Sequence, residues 1–212
     1  MAMSDEQSIM QQQLAQGVVE LGCAISLEQQ HQMIAYLILL DKWNRTHNLT
    51  AIRESQKMVT HHLLDSLSII PYLKGDAILD VGTGGGVPGI PLAIACPEKS
   101  FVLVDSHGKK TRFLKHAVQT LGLLNVEVHH SRVEQLSQTH TFDVIMARAV
   151  STLKNLLQWT QSLLKEDGRW VLMKGAYPEE ELQSVVLPCQ TIPIEVPGLD
   201  AQRHIVMIKL AG

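Results

Sequence analysis

The first third of the chain carries apolar residues at helical spacing, separated by polar residues that suit helix ends. Gly22 follows the first such stretch, and Ser26 with Gln29 gives the pattern of a capping box in front of the second. None of these stretches resembles a strand. The pattern predicts three helices, over residues 4–21, 26–43 and 54–73, the last interrupted by Pro71.

The pattern then changes to short apolar runs that alternate with helical stretches. The runs predict strands at residues 77–81, 101–105, 126–128, 142–146, 170–173, 190–196 and 204–210. Helices are predicted between them at residues 88–95, 109–121, 153–164 and 178–186. Such alternation predicts a parallel sheet covered on both faces, whereas the short turn at 197–200 permits only an antiparallel pair.

We therefore expect an α/β fold with a seven-stranded, mostly parallel sheet and an antiparallel C-terminal hairpin. A chain of 212 residues suits one domain. Within it, residues 1–74 are expected to form a helical N-terminal cap and residues 75–212 the α/β core.

Composition excludes several classes of protein. Apolar residues make up 45% of the chain and charged residues 18%, which suits a globular core and not a disordered chain. The longest apolar run is far shorter than the roughly 20 residues of a membrane span, and the polar N-terminus has no apolar signal core. Cys23, Cys96 and Cys189 form no CxxC pair, and no histidine set has metal-ligand spacing. We expect a cytoplasmic protein with reduced thiols and no metal.

Glycines cluster directly after the first predicted strand. The stretch DVGTGGGVPG at residues 80–89 would let the backbone turn sharply and approach a ligand closely. The next predicted strand ends at Asp105, where a carboxylate can accept hydrogen bonds from both hydroxyls of a ribose. This layout fits dinucleotides such as NAD and also S-adenosylmethionine. A tight turn with no ligand is the plain alternative.

Three features favour S-adenosylmethionine over a dinucleotide. The dinucleotide fingerprint requires a third glycine where this chain has Val87. Asp80 closes the first strand, where it can hold the loop amides or pair with the ligand's ammonium group. Dinucleotide folds also lack an antiparallel C-terminal hairpin. The expected fold is therefore the Rossmann-like fold of class I methyltransferases.

Several motifs together resemble one family, the guanine-N7 methyltransferases of small-subunit ribosomal RNA, also called glucose-inhibited division protein B. PGIP after the glycines and Arg-Ala after the fourth strand are the most specific of them. One departure is HGKK at residues 107–110, where the family usually has Leu-Gly-Lys-Arg, and it keeps a basic residue at Lys110. The matching motifs are WN at 43–44, NLTAI at 48–52, HLLDSL at 62–67, DVGTGGGVPGIPL at 80–92, VDS at 104–106, KK at 109–110, SRVE at 131–134, ARA at 147–149, KG at 174–175 and RH at 203–204.

The resemblance implies how S-adenosylmethionine is bound. Asp105 would hold the ribose, and Arg148 would face both the cofactor and the incoming base. The plain alternatives are that Val133 is core, that Glu134 is a solvated helix start, and that Arg148 pairs with a buried carboxylate. The cofactor residues predicted from the loop and the resemblance are Asp80, Gly82 and Val87 (beside methionine and ribose), Gly84, Asp105, Val133 and Glu134 (beside adenine), and Arg148.

The chemistry implied by the resemblance needs no acid or base residue. Guanine N7 carries an in-plane lone pair and no proton, so no catalytic acid or base is assigned. The product purine is cationic, and a carboxylate or carbonyl near its N1 and N2 edge would stabilise it. A basic donor such as Arg148 must leave N7 free and can hold O6 or a phosphate.

The partner implied by the resemblance is 16S ribosomal RNA, bound by a protein that acts as a monomer. The net charge of −3 suits a structured ribosomal particle better than naked RNA, because only local patches are basic. A protein or small-molecule methyltransferase and an NAD-binding oxidoreductase or regulator remain alternatives. The predicted RNA-binding residues are Lys109, Lys110, Arg132, Arg148, Lys174 and Arg203.

Overall fold

The computed structural model describes residues 5–137 and 141–210. Residue 4 of the first predicted helix and residues 1–4, 138–140 and 211–212 of the predicted domain lie outside them. Helices α1 (Asp5–Glu20) and α2 (Leu27–His47) agree with the first two predictions. The capping box is present: Gln29 N donates to Ser26 Oγ at 3.2 Å, and Ser26 N donates to Gln29 Oε1 at 2.9 Å.

The third helical segment contains an irregularity that the periodicity does not reveal. It is α-helical in α3 (Ser55–Met58), π-helical over Val59–Leu64 and α-helical again in α4 (Asp65–Leu67). A π-turn inserts one extra residue per turn, which shifts the side chains that follow around the helix axis. Pro71 lies in the short 3₁₀ turn Ile70–Tyr72 and not inside a continuous helix.

The sheet has seven strands in the order β3-β2-β1-β4-β5-β7-β6. The first five are parallel, and β7 pairs antiparallel with both β5 and β6. This confirms the predicted fold class. The strands are β1 (Ala77–Val81), β2 (Ser100–Asp105), β3 (Val126–His130), β4 (Phe142–Arg148), β5 (Leu164–Lys174), β6 (Cys189–Pro193) and β7 (His204–Lys209). The remaining helices are α5 (Gly89–Ala95), α6 (Gly108–Leu121), α7 (Leu153–Thr160) and α8 (Glu179–Leu182).

Several predicted elements have different lengths in the structure, among them β6, which ends at Pro193 instead of residue 196. Helix α8 ends at Leu182 instead of residue 186. Leu182 is its one apolar residue and packs partly buried against the core, so little burial stabilises the helix. Strand β5 begins at Leu164, where a helix was expected to end, and Leu164 pairs with Phe142 next to a register shift.

Successive residues of the strands serve the two faces of the sheet. Ile78 packs in one cluster with Leu14 and Leu37 of the N-terminal helices, whereas Leu79 packs with Leu156 of α7 on the opposite face. The N-terminal helices and the sheet therefore share one core. The assignment of a single domain stays a prediction, which this shared core supports.

The face covered by α7 contains a buried polar contact that we expect to matter for stability. Trp170 is fully buried, and its Nε1 donates to Thr160 Oγ1 at 2.8 Å. Thr160→Val keeps the shape but leaves the indole N–H without an acceptor. We expect the free energy of unfolding to fall by ~1–3 kcal/mol in chemical denaturation. The matched control Thr120→Val, at an exposed position of α6, should change it by less than about 0.5 kcal/mol. Equal effects of both variants would contradict the assignment.

Candidate functional site

A buried carboxylate binds the glycine loop, residues 82–89, from the interior of the protein. Asp80, at the carboxyl end of β1, is fully buried, and its Oδ2 accepts a hydrogen bond from Gly89 N at 3.0 Å. A Cβ on Gly89 would lie 2.3 Å from Leu103 Cδ2 and 2.7 Å from Asp80 Oδ2, so only glycine fits there. Of the two roles predicted for Asp80, the structure shows the binding of a loop amide.

Two further contacts fix the same loop. Gly82 and Gly84 have φ values of 64° and 63°, which glycine adopts without strain, and Gly82 N donates to Val104 O at 2.8 Å. From the other side, the buried Tyr36 hydroxyl of α2 donates to Gly85 O at 2.7 Å. The N-terminal helices therefore help to set the shape of the loop.

Burial dominates the electrostatics of Asp80. It raises the pKa of this carboxyl to about 7, and the nearby Thr83 hydroxyl, the hydrogen bond from Gly89 N and the charge of Arg148 oppose the rise only in part. The negative charge of Asp105 adds to it. The loop thus rests on a carboxyl group that takes up a proton near neutral pH.

Asp105 connects the loop to the end of β2. Its side chain is 4% exposed. Oδ2 accepts from Gly84 N at 3.0 Å, and Oδ1 accepts from His107 N at 2.8 Å. Lys110 Nζ lies 3.8 Å from Oδ2. These contacts hold the carboxylate in one orientation at the edge of a cavity.

That cavity, which we call the nucleoside cavity, measures about 310 Å³ and opens at the carboxyl ends of β1, β2 and β4. It combines a carboxylate and backbone groups with apolar walls. Its lining residues are Val81, Gly82, Val104, Asp105, Ser106, His107, Lys110, Ser131, Arg132, Val133, Glu134, Ala149, Val150 and Trp159.

A second cavity of about 370 Å³ adjoins it and is called here the arginine bay. The two cavities share Ala149, a non-glycine residue with a φ of 55° directly after β4. The bay is lined by Ile52, His61, Asp65, Arg148, Ala149, Met173, Lys174, Gly175 and Arg203.

The charged side chains of the arginine bay are all ion-paired, two in a network around Asp65 and Lys174 in a separate pair with Glu181. Asp65 is 1% exposed, and its two oxygens accept from Arg148 Nη1 at 2.9 Å and from Arg203 Nε at 3.0 Å. Lys174 Nζ is bound by both oxygens of Glu181, at 2.8 and 2.9 Å. The plain alternative for Arg148, pairing with a buried carboxylate, is therefore what the structure shows.

The two histidines beside this network favour the neutral form. Burial and the charge of Arg148 lower the pKa of His62 to about 4, and its Nε2 lies 3.0 Å from Thr50 Oγ1. Burial and the charge of Arg203 also lower the pKa of His61. His61 therefore presents a neutral ring to the bay.

The structure divides the predicted site residues between different places. Asp80, Gly84 and Val87 belong to the loop and do not line the nucleoside cavity, and Val87 is instead a core residue. Lys109 lies apart from both cavities, in a shallow concavity beside Arg112 and Lys115. Predicted residues that line the nucleoside cavity are Gly82, Asp105, Lys110, Arg132, Val133 and Glu134, and those that line the arginine bay are Arg148, Lys174 and Arg203.

Sequence reasoning missed Asp65 and Trp159 as site residues. Asp65 lies between leucines in an apolar helical stretch, and an acid at such a position signals a buried partner. No comparable signal marks Trp159, because tryptophan in an amphipathic helix is normally core.

The described residues contain neither a candidate metal site nor a helix that could span a membrane. Within 5–137 and 141–210, no group of three or more His, Cys, Asp or Glu residues could hold a metal ion. In the same residues, no helix is both long and apolar enough to cross a bilayer.

Comparison with known proteins points to one family. Residues 29–206 match the family described as rRNA small subunit methyltransferase G. The ribosomal RNA small subunit methyltransferase G of Coxiella burnetii is 48% identical over 200 residues, which are 94% of this chain and 98% of that protein. The protein of the same name from Pseudomonas aeruginosa is 48% identical over 201 residues, covering 93% of this chain and 94% of its own.

Solved structures confirm the fold. A SAM-dependent methyltransferase from Aquifex aeolicus superposes with a TM-score of 0.53 at 20% identity, covering 69% of this chain and 90% of its own. A ribosomal protein L11 methylase from Lactobacillus delbrueckii gives a TM-score of 0.53 at 16% identity, covering 76% and 90%. At these identities the likeness concerns the fold alone.

The raised pKa of Asp80 predicts a specific pH dependence of stability. The folded pKa of about 7 exceeds the unfolded value of about 3.9, so between these values the folded state binds a proton that the unfolded state releases. Stability contributed by Asp80 is therefore complete below about pH 4 and is lost as the pH rises to about 7. From pH 5 to 8, the free energy of unfolding should fall by on the order of 2 kcal/mol relative to Asp80→Asn. Denaturant titrations at both pH values measure this difference.

The control is Ser162→Ala, an exposed change that removes no carboxyl group. Its pH profile of stability should run parallel to that of the unaltered protein. If the Asp80→Asn profile is parallel as well, Asp80 does not titrate as described.

Proposed function

The chain belongs to the family of rRNA small subunit methyltransferase G, and from that premise we propose that it transfers a methyl group from S-adenosylmethionine to N7 of a guanine in 16S ribosomal RNA. The observation that carries the proposal is the adjacency of the nucleoside cavity and the arginine bay, which meet at Ala149. A methyl donor and an extruded base need two such neighbouring spaces.

The residues of the nucleoside cavity fit S-adenosylmethionine. Asp105 brings a buried carboxylate to the cavity edge, where it can accept hydrogen bonds from the ribose hydroxyls. Val133 offers an apolar wall for the adenine, and Glu134 lies beside it. The glycine loop brings backbone close to the methionine side at Gly82. When bound, this cofactor supplies an electrophilic methyl group on a sulfonium.

The arginine bay fits the target nucleotide. The charged side chains that line the bay are ion-paired, and His61, the histidine among its lining residues, has a lowered pKa, which makes its ring a weak base. Attack by guanine N7 needs no general base, because N7 carries a lone pair and no proton. The contribution of the chain is to position the two reactants and exclude water, for which intramolecular models allow up to about 7–11 kcal/mol.

The structure narrows the ways in which the cationic product base can be stabilised. Both oxygens of Asp65 already accept hydrogen bonds from arginines and the side chain is 1% exposed, so little of this carboxylate is open to the N1 and N2 edge of the guanine. Its charge still acts at a distance in a site of low dielectric.

We further propose that the protein acts as a monomer in the cytoplasm and that its substrate is the assembled small subunit. With a net charge of −3, the chain has no general attraction for RNA. Local basic residues such as Lys110 and Arg132 at the cavity would then act on an RNA that the particle already presents.

The activity is tested with labelled S-adenosylmethionine and small subunits from a strain that lacks the enzyme. We expect one labelled nucleoside, 7-methylguanosine, which is then mapped in the 16S RNA. Labelling of another nucleoside would contradict the N7 assignment. Absence of labelling in both RNA and subunits would favour a protein or small-molecule substrate.

The cofactor assignment predicts the effect of a single substitution. Asp105→Asn removes the charge that would hold the ribose, so we expect the Kd for S-adenosylmethionine to rise about 10–100-fold in calorimetry. Asp143→Asn is the matched control, because Asp143 also accepts hydrogen bonds from two backbone N–H groups, those of Asp76 and Ala77. Asp143 lies at the amino-terminal ends of the parallel strands, away from the nucleoside cavity. Tighter binding of NAD than of S-adenosylmethionine by the unaltered protein would contradict the assignment.

A further inference from the structure

The arginine bay is organised around a carboxylate that is almost completely buried. Asp65 is 1% exposed, and each of its oxygens accepts a hydrogen bond from a different guanidinium group. The two arginines come from distant parts of the chain, Arg148 from the end of β4 and Arg203 from the residue before β7. Burying a carboxylate costs free energy that such pairing must offset, so both contacts are strongly favoured.

Each arginine is held at a second point as well. Arg148 Nη1 also donates to His61 O at 2.7 Å, and Arg203 Nη1 donates to Gln202 O at 2.9 Å. The guanidinium planes are thus fixed in direction. Among the described residues, no protein acceptor is found for Arg148 Nε and Nη2 or for Arg203 Nη2, while both side chains line the bay and are 26% and 21% exposed.

The local backbone adds an independent indication of function. Asp65 follows directly on the π-helical turn Val59–Leu64, and its N–H donates to Thr60 O. Single π-turns inside helices occur frequently at functional sites, since they cost stability and re-aim side chains. Here the turn contains His61, whose carbonyl is the second acceptor of Arg148.

The charge of the cluster indicates what the free donors bind. Asp65, Arg148 and Arg203 carry one negative and two positive charges, whereas Lys174 is already neutralised by Glu181. A surplus positive charge opposes the formation of a cationic base unless an anion accompanies that base. In RNA, the anion that accompanies every base is the phosphodiester, and guanidinium groups bind it with forked N–H donors.

We propose that Asp65 is a positioning residue that holds Arg148 and Arg203 as one fork, which binds a phosphodiester of the target nucleotide. This proposal rests on the proposed function. The same contacts keep the arginine donors on the phosphate and away from N7. The negative charge of Asp65 also offsets one of the two arginine charges near the reacting base.

The first test is Asp65→Asn, which keeps the size of the side chain and removes its charge. We expect kcat/KM for small subunits to fall by at least about 30-fold, while the Kd for S-adenosylmethionine changes by less than about twofold, because Asp65 does not line the nucleoside cavity. The matched control is Asp143→Asn, which breaks an ion pair to Lys165 at the far edge of the sheet. It should leave both quantities within about twofold, as expected for a distant site. Equal losses in both variants, or an unchanged kcat/KM in Asp65→Asn, would overturn the proposal.

A double-mutant cycle separates positioning from a general structural effect. If Asp65 acts through Arg203, the variant Asp65→Asn with Arg203→Gln should lose little more activity than the more damaged of the two single variants. Multiplication of the two single losses would mean that the residues act independently and would refute the proposal.

If Asp65→Asn does not fold, the single variant Arg203→Gln tests the phosphodiester site instead. This variant leaves Asp65 paired with Arg148, so its buried charge keeps a partner. Loss of one phosphate contact should reduce the slope of log KM against log salt by about 0.7–0.9, and an unchanged slope would refute the phosphodiester site. If the unaltered protein labels no RNA, the proposed function fails first. If it forms 7-methylguanosine and the variants behave like it, only the present inference fails.

Discussion

The buried carboxylate of Asp65 is the contact on which the architecture of the site depends. It binds one arginine from the end of β4 and one from the residue directly before β7, although Asp65 itself belongs to the helical N-terminal region. Without both partners, a carboxylate that is 1% exposed would be too costly to bury. The helical cap, the parallel part of the sheet and the antiparallel hairpin are therefore brought together where the two cavities adjoin.

A second buried carboxylate, Asp80, fixes the loop beside the nucleoside cavity, as Asp65 fixes the arginines of the arginine bay. It holds Gly89 N from inside the protein, whereas Asp105 holds Gly84 N from the cavity side. Neither acid at the end of the first two strands is free to react. Each of them binds a loop amide and so fixes backbone geometry, and Asp105 also presents its carboxylate to the nucleoside cavity. This arrangement suits a reaction whose nucleophile needs no deprotonation. Such a site acts by preorganisation.

Local patterns predicted much of the fold because they report local physics. The capping box of Ser26 and Gln29 and the strand Ala77–Val81 depend on neighbours in the chain, and both are present in the structure. The π-turn at Val59–Leu64 was not predictable in this way, since hydrophobic periodicity averages over one extra residue. Helix α8 is shorter than expected because only Leu182 of its residues packs against the core, which stabilises the helix little.

The site was predicted less completely for a related reason. Glycines and acids that directly follow predicted strands can be recognised as site residues from the sequence, and Gly82 and Asp105 do line the nucleoside cavity. The pairing of Asp65 with Arg203 joins residues separated by 138 positions, and no local pattern encodes it. Lys109 and Lys110 are neighbours in sequence but face different places, because successive helical residues point about 100° apart.

The most direct test of this account is a crystal structure of the protein with S-adenosylhomocysteine, the demethylated product of the cofactor. The account predicts its ribose hydroxyls on Asp105, its adenine beside Val133, and its sulfur directed past Ala149 toward a bay that Arg148 and Arg203 leave open. A nucleoside bound elsewhere, or an arginine bay filled by the protein's own side chains in the complex, would contradict it.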